Sequence, residues 1–194
     1  MKIKRALISV YDKKNIKPLL KILNKFKVDI ISSGGTYKKI KKLGFKCQEV
    51  SNFTNSPEIL EGRVKTLHPK IYGGILSKRN NKIHKKDLKI NKFKEIDLVV
   101  VNFYPFEEVM NKSYNHSKII ENIDIGGPSM VRAAAKNYNF VAVVTNPNQY
   151  NQLIEEIKKN NGKTSLNFRK LLSCEAFLET GYYDSLISNF FSKQ

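Results

Sequence analysis

The sequence lacks the features that would direct it to a membrane, an oxidising compartment or a metal. No run approaches the roughly 18 consecutive apolar residues that span a bilayer. The first apolar stretch, Ala6 to Val10, is too short for the hydrophobic region of a signal peptide. Only two cysteines occur, Cys47 and Cys174, far apart and without metal-ligand spacing. No disulfide framework or zinc site is implied. The expectation is a cytoplasmic protein with no metal and no membrane partner. There is no Walker loop, no G-x-G-x-x-G, no H-E-x-x-H and no nucleophilic triad. Repeats and low-complexity linkers are absent as well. The 194 residues, 41% of them hydrophobic, suffice for one well-cored domain, 1–194, with room for a helical extension.

Acid is also scarce. Asp and Glu number 17 against 35 Lys and Arg, a net charge of +18. Such an excess raises the question of nucleic-acid binding. The lysines are instead spread along helix-like segments, as at Lys38, Lys39, Lys41 and Lys42 or Lys85, Lys86, Lys89 and Lys92. Asn and Ile are abundant alongside them, so a compositional bias is the preferred reading. No specific nucleic-acid partner is expected, although the charge can steer a phosphorylated substrate inward.

What the chain does have is alternation. Arg5–Val10, Val28–Ile31, Cys47–Val50, Asp97–Phe103 and Phe140–Val144 are short apolar runs of strand length. Between them, Lys14–Phe26, Thr36–Leu43 and Pro128–Asn137 read as helices, the second ended by Gly44. Tyr150–Lys159 and Leu166–Phe191 read as further helices. The continuous Leu98-Val99-Val100-Val101 suits a central strand of a parallel sheet. The fold expected is therefore α/β, a mainly parallel sheet flanked by helices, with a C-terminal helical layer from about residue 150. Lys78–Asn91, polar and basic, is expected to be a mobile surface segment, and Phe190 and Phe191 to be exposed.

Four clusters invite chemistry. Ser32-Ser33-Gly34-Gly35-Thr36 follows a strand and opens a helix. It can be a phosphate cradle or a tight turn with Thr36 as N-cap. Lys13, at the end of the neighbouring strand, favours the cradle, because ligands collect at the carboxyl ends of strands in open α/β sheets. Glu61 to Gly74 packs Arg63, Lys65, Thr66 and His68 among glycines. A loop so dense in donors suits a cleft for an anionic molecule, since buried charges need partners. Asn102 and Tyr104 close the strongest strand. Asp124 precedes Gly126-Gly127-Pro128, where a carboxylate also serves a helix start. Lys136 lies twelve residues beyond Asp124, about 3.3 helical turns. The two can meet only if the tertiary fold brings them together.

Five blocks carry a resemblance, in order: Ser9-Val10-Tyr11-Asp12-Lys13, Ser32–Thr36, Gly62–Gly74, Asn102-Phe103-Tyr104-Pro105-Phe106 and Glu121–Tyr138. A terminal block from Ala176-Phe177 to Tyr183-Asp184-Ser185 joins them. Together they resemble the IMP cyclohydrolase domain of the bifunctional AICAR transformylase/IMP cyclohydrolase family, along essentially the whole chain. The resemblance implies a methylglyoxal-synthase-like fold and closure of the purine ring of 5-formamidoimidazole-4-carboxamide ribotide, giving IMP and water without a cofactor. It implies Lys13, Ser33, Gly34, Gly35 and Thr36 at the phosphate; Arg63, Thr66 and Asn102 at base and ribose; and Gly126 and Gly127 as backbone donors. Asp124 would accept the carboxamide proton, with Lys65, Tyr104 and Lys136 donating to the oxyanion and leaving oxygen. A homodimer and a native chain that continues into a transformylase domain are also implied. One departure is Tyr11, where the family often has Ser. Two other classes remain in view. One is a methylglyoxal synthase acting on a small sugar phosphate; the other is a non-catalytic nucleotide sensor.

Overall fold

A computed structural model describes residues 1–112 and 115–193. In chain order the elements are β1 (Arg5–Val10), α1 (Ile16–Lys25), β2 (Asp29–Ser32), α2 (Gly34–Lys42), β3 (Gln48–Glu49), α3 (Val50–Thr54), α4 (Pro69–Leu76), α5 (Lys82–Ile90), β4 (Leu98–Asn102), α6 (Phe106–Lys112), α7 (His116–Glu121), α8 (Gly126–Lys136), β5 (Ala142–Val144), α9 (Tyr150–Lys159) and α10 (Leu166–Phe191). Among the described residues five strands form one sheet in the order β3-β2-β1-β4-β5, every pairing parallel. The expected architecture stands.

The strand order has a consequence. From β1 the chain builds outward one way to β2 and β3, then returns to the other side of β1 for β4 and β5. The direction reverses between β1 and β4, whose loops diverge at their carboxyl ends and leave a crevice there. Leu98 to Val101 of β4 are fully buried. Leu98 and the three β-branched valines fill both faces of the sheet, as a doubly covered central strand requires. In α1, Ile16, Leu19, Leu20 and Leu23 recur at helical spacing and are buried, while the lysines between them face solvent. Burying each such side chain is worth roughly 1.5–3 kcal/mol.

The C-terminal helices belong to the same core. Leu153 and Ile157 of α9 and Leu172 and Ala176 of α10 join the central cluster. A smaller cluster gathers Phe106 of α6, Ile119 of α7, and Tyr183 and Phe190 of α10. Phe190 is therefore covered, against the expectation that it would be exposed. The rings of Phe106 and Phe190 meet edge-on with centroids 5.8 Å apart. Phe191 is exposed as expected, in company with Leu171, Leu178 and Tyr182.

Two further expectations change, and a third is made more definite. Lys78–Asn91 contains α5, capped by the Asn81 side chain, which accepts from the N–H groups of Ile83 and His84. It is exposed, but helical. α2 starts at Gly34 with Ser33 in the N-cap position, so Thr36 is not the cap. The Glu61–Gly74 stretch is a loop only to His68. His68 caps α4 by accepting from the Lys70 N–H at its Nδ1. Gly73 and Gly74 lie inside that helix because the chain packs against them. A Cβ on Gly74 would come within 2.5 Å of the Lys94 carbonyl oxygen, and one on Gly73 within 2.9 Å of the Phe93 ring.

Candidate functional site

The crevice between the β1 and β4 ends is a cleft of about 930 Å³, the size of a nucleotide-scale pocket. Three loops and two helix starts wall it. Residues 9–11, Lys13 and residues 33–36 form one end; 60–67 form a lip; Asn102, Tyr104 and residues 120–127 form the other side. Thirteen of the fourteen residues expected to serve a site line this cleft. The exception is Lys136.

At the first end, α2 presents its N-terminus between two ammonium groups. A Cβ on Gly35 would lie 3.9 Å from Lys13 Nζ, and one on Gly34 would lie 3.9 Å from Lys65 Nζ. Gly34 has φ +52°, a conformation that strains any residue with a side chain. Unpaired first-turn N–H groups and two lysines make a strong anion site. Lys13 is held by donating to the Tyr11 carbonyl at 2.8 Å. The Thr36 hydroxyl is spent elsewhere: it donates to the Val10 carbonyl at 2.9 Å and accepts from the Val10 N–H at 3.0 Å. Thr36 thus ties α2 to the end of β1, and offers a ligand only its backbone.

Asn102 has a similar role. Its side chain accepts from the Asp12 N–H and donates to the Asp12 carbonyl, both at 2.9 Å. It fastens the loop after β1 to the end of β4 and so places Tyr11 and Lys13. Tyr11 and Tyr104, both substantially exposed, meet edge-on across the cleft with centroids 5.7 Å apart. Arg63 forks onto Glu121 across the mouth, its Nε and Nη2 donating to the two carboxylate oxygens. That pairing raises the Arg63 pKa and lowers that of Glu121. Both ends are exposed, so the pair is worth little to stability, but it spans lip and α7. Glu121 gave no signal in the sequence beyond its place beside Asn122-Ile123-Asp124.

Opposite the anion site stands Asp124. Burial pushes its carboxyl above the usual range, and it is opposed by the Gly127 N–H, the Lys65 charge and the Tyr104 backbone. The Gly127 N–H donates to Asp124 Oδ1 at 2.8 Å. It is therefore not a free donor, contrary to expectation. The glycine pair is needed for space. A Cβ on Gly127 would come within 2.4 Å of Asp124 Oδ2, and one on Gly126 within 2.7 Å of Thr66 Oγ1. Thr66 is buried and packs there. Lys65 reaches both ends of the cleft, beside Gly34 and close enough to bias Asp124 electrostatically.

Lys136 is at the far end of α8. Ten residues of helix from Gly126 make about 15 Å. It lines a separate hollow of about 440 Å³ with Arg132, Tyr138, Ser173 and Phe177. The fold of one chain does not bring it to Asp124, because the helix that presents the glycines at the cleft carries Lys136 away from it. Among the described residues no group of three or more His, Cys, Asp or Glu could hold a metal ion, and no helix is long and apolar enough to cross a membrane.

Comparisons with known proteins place the chain in a family. The family model described as MGS-like domain matches residues 15–129. That described as AICARFT/IMPCHase bienzyme matches residues 134–194. The chain is 53% identical over 190 residues to the bifunctional purine biosynthesis protein PurH of Prochlorococcus marinus (strain MIT 9515). It is 45% identical over 193 residues to that of Agrobacterium fabrum (strain C58 / ATCC 33970). The alignments cover 97% and 100% of this chain but 36% of each relative's length. A crystal structure of ForH superposes with a TM-score of 0.86 at 29% identity, covering 97% of this chain and 96% of that one.

Proposed function

Because the chain belongs to the MGS-like domain family, and its remaining residues match the bienzyme model, we propose that the cleft is an IMP cyclohydrolase site. It closes the purine ring of 5-formamidoimidazole-4-carboxamide ribotide to give IMP and water. The observation that carries this reading is the pairing of a two-lysine anion site at one end with a half-buried carboxylate at the other. A ribonucleotide has its phosphate and its reacting base at opposite ends in the same way.

The substrate's 5′-phosphate lies at the α2 N-terminus between Lys13 and Lys65, against the backbone of Ser33 to Thr36. The sugar and base run along the wall formed by Tyr11 and Tyr104, toward Asp124. Ring closure joins the carboxamide nitrogen to the formyl carbon. The nitrogen is a poor nucleophile, since its lone pair is delocalised, so a base must take its proton as the bond forms. Asp124 is that base. Its raised pKa makes the carboxylate a stronger acceptor than an exposed one. The formyl oxygen gains negative charge and is met by the Tyr104 hydroxyl, while Lys65 stays with the phosphate beside Gly34. Return of that proton to the oxygen gives a hydroxyl; the formamide N–H then gives up its proton, a C=N bond forms as the C–O bond breaks, and the hydroxyl leaves as water with that second proton. Arg63 and Glu121 close the mouth and help hold the rotamer in which nitrogen and carbon face each other.

Self-association through the apolar residues exposed on α10, and transformylase activity in the remaining length of the longer relatives, are parts of the same proposal. The deciding experiment follows ring closure by ultraviolet absorbance, with methylglyoxal formation from a triose phosphate measured in parallel. Ring closure alone is expected. Methylglyoxal formation without ring closure, or nucleotide binding without either, overturns the reading.

A further inference from the structure

Tyr183 lies 59 residues from Asp124 in sequence, far beyond the stretch matched as MGS-like, which ends at 129. It stands in the part of the chain matched to the bienzyme. α10 nevertheless carries it back to the cleft. The Asp124 backbone N–H donates to Tyr183 Oη at 2.8 Å, and the Asn122 carbonyl is 3.5 Å from the same oxygen. The residue is 5% exposed. Its ring packs on Phe103, between Asn102 and Tyr104, with centroids 5.0 Å apart. It also meets Phe106 edge-on at 6.3 Å. One side chain thus ties together two parts of the same side of the cleft: the end of β4 through its ring and the Asp124 turn through its hydroxyl.

We infer that Tyr183 is a positioning residue for Asp124, so that the last helix, outside the MGS-like portion, completes the ring-closing site. The inference rests on the function proposed above. A backbone N–H at the Asp124 turn has two places to go, water or a fixed acceptor. With water as partner, the turn between α7 and α8 is free to shift, and the carboxylate shifts with it. Small displacements of a general base are costly, because proton transfer needs hydrogen-bond reach. The Gly127 contact fixes the carboxylate from the α8 side; the Tyr183 contact fixes the same residue from behind. Tyr183 does not reach the substrate, since it does not line the cleft.

The test separates position from packing. Tyr183→Phe removes the hydroxyl and leaves the ring among Phe103 and Phe106. Turnover should fall roughly tenfold or more with KM changed less than about twofold, the signature of a group acting only on the chemical step. The melting temperature should change little. Phe190→Leu loosens the same aromatic cluster without touching the hydroxyl. It should lower the melting temperature and leave turnover within about twofold. Amide hydrogen exchange at Asp124 should be faster in Tyr183→Phe than in the parent, a readout that needs no activity. Wild-type turnover in Tyr183→Phe, or equal loss in both variants, overturns the inference while the function stands. A parent chain that closes no ring overturns the function instead. In that case unchanged Asp124 exchange in Tyr183→Phe would overturn the positioning too, and faster exchange would support it.

Discussion

Asp124 combines two demands at a single residue. In the proposed mechanism it is the base, and its site disfavours the charge that a base must carry. Burial raises its pKa from the ordinary 3.8, so the folded chain holds this proton to higher pH than the unfolded chain does. The sign follows. The stability contributed by the protonated carboxyl is fully present below pH 3.8 and is lost as pH rises through the folded value. Each unit of upward shift is worth about 1.4 kcal/mol. Asp124→Asn keeps an oxygen for the Gly127 N–H but carries no charge. It should lose turnover by about 10² to 10⁴ while melting higher than the parent at neutral pH, by a margin that vanishes near pH 3. Thermal unfolding from pH 3 to 8 measures this, and a margin independent of pH would contradict it. The functional residues were legible in sequence to different degrees. Lys13, Lys65, Tyr104 and Asp124 were candidates from their loops and from the resemblance, and the structure places all four on one cleft. Tyr183 was not, since no local pattern says that a helical tyrosine 59 residues away will reach back. Lys136 was misplaced because a resemblance assigns a role without assigning a distance.

At the scale of elements the glycine pairs are the instructive case. Gly34-Gly35 reads in sequence as a phosphate cradle, Gly73-Gly74 as the end of a donor-dense loop and Gly126-Gly127 as backbone donors. The structure gives each a different physical duty. The first is a backbone conformation at an anion site. The second is contact between α4 and the chain before β4, and the third is room for Asp124 and Thr66 behind α8. Substitution should separate the last two. Gly74→Ala drives a methyl into the Lys94 backbone carbonyl, and overpacking of this kind costs about 1–3 kcal/mol. Its effect should appear in urea unfolding, with turnover per folded molecule retained. Gly127→Ala drives a methyl into the Asp124 carboxylate. It should depress turnover at least tenfold with a smaller change in stability. If the two variants behave alike, the division of duties is wrong. The strands and the long helices were legible because their apolar periods are long and regular. α3, α6 and α7 were not, being only 5, 7 and 6 residues long, too short for a period to declare itself. α5 showed only as a helix-like spread of lysines, since it has no buried face to give an apolar period.

For the whole molecule, the question is where the folding unit ends. The MGS-like match stops at residue 129, yet the physical unit does not. α10 covers β5 and α8, and Leu172 and Ala176 sit in the central core at 0% exposure. The buried Arg169 guanidinium donates to the carbonyls of Tyr138, Asn139 and Thr164, and Ser173 donates to that of Ala135 at 2.8 Å. The chain's start is bound to the same region: Ile3 N–H donates to the Gly162 carbonyl and Thr164 N–H to the Met1 carbonyl. Removing α10 would uncover the apolar face of α8 and leave carbonyls after it without donors, each costing about 1–3 kcal/mol where still buried. Typical domains hold only about 5–15 kcal/mol in total. Residues 1–194 should therefore unfold in one cooperative transition, the same by fluorescence and by circular dichroism, and close the ring without further sequence. Residues 1–165 should not give a cooperative transition at all. Cooperative unfolding of that shorter chain would mean that the helical layer is an appendage, and the link from α10 to Asp124 would then lose its structural basis.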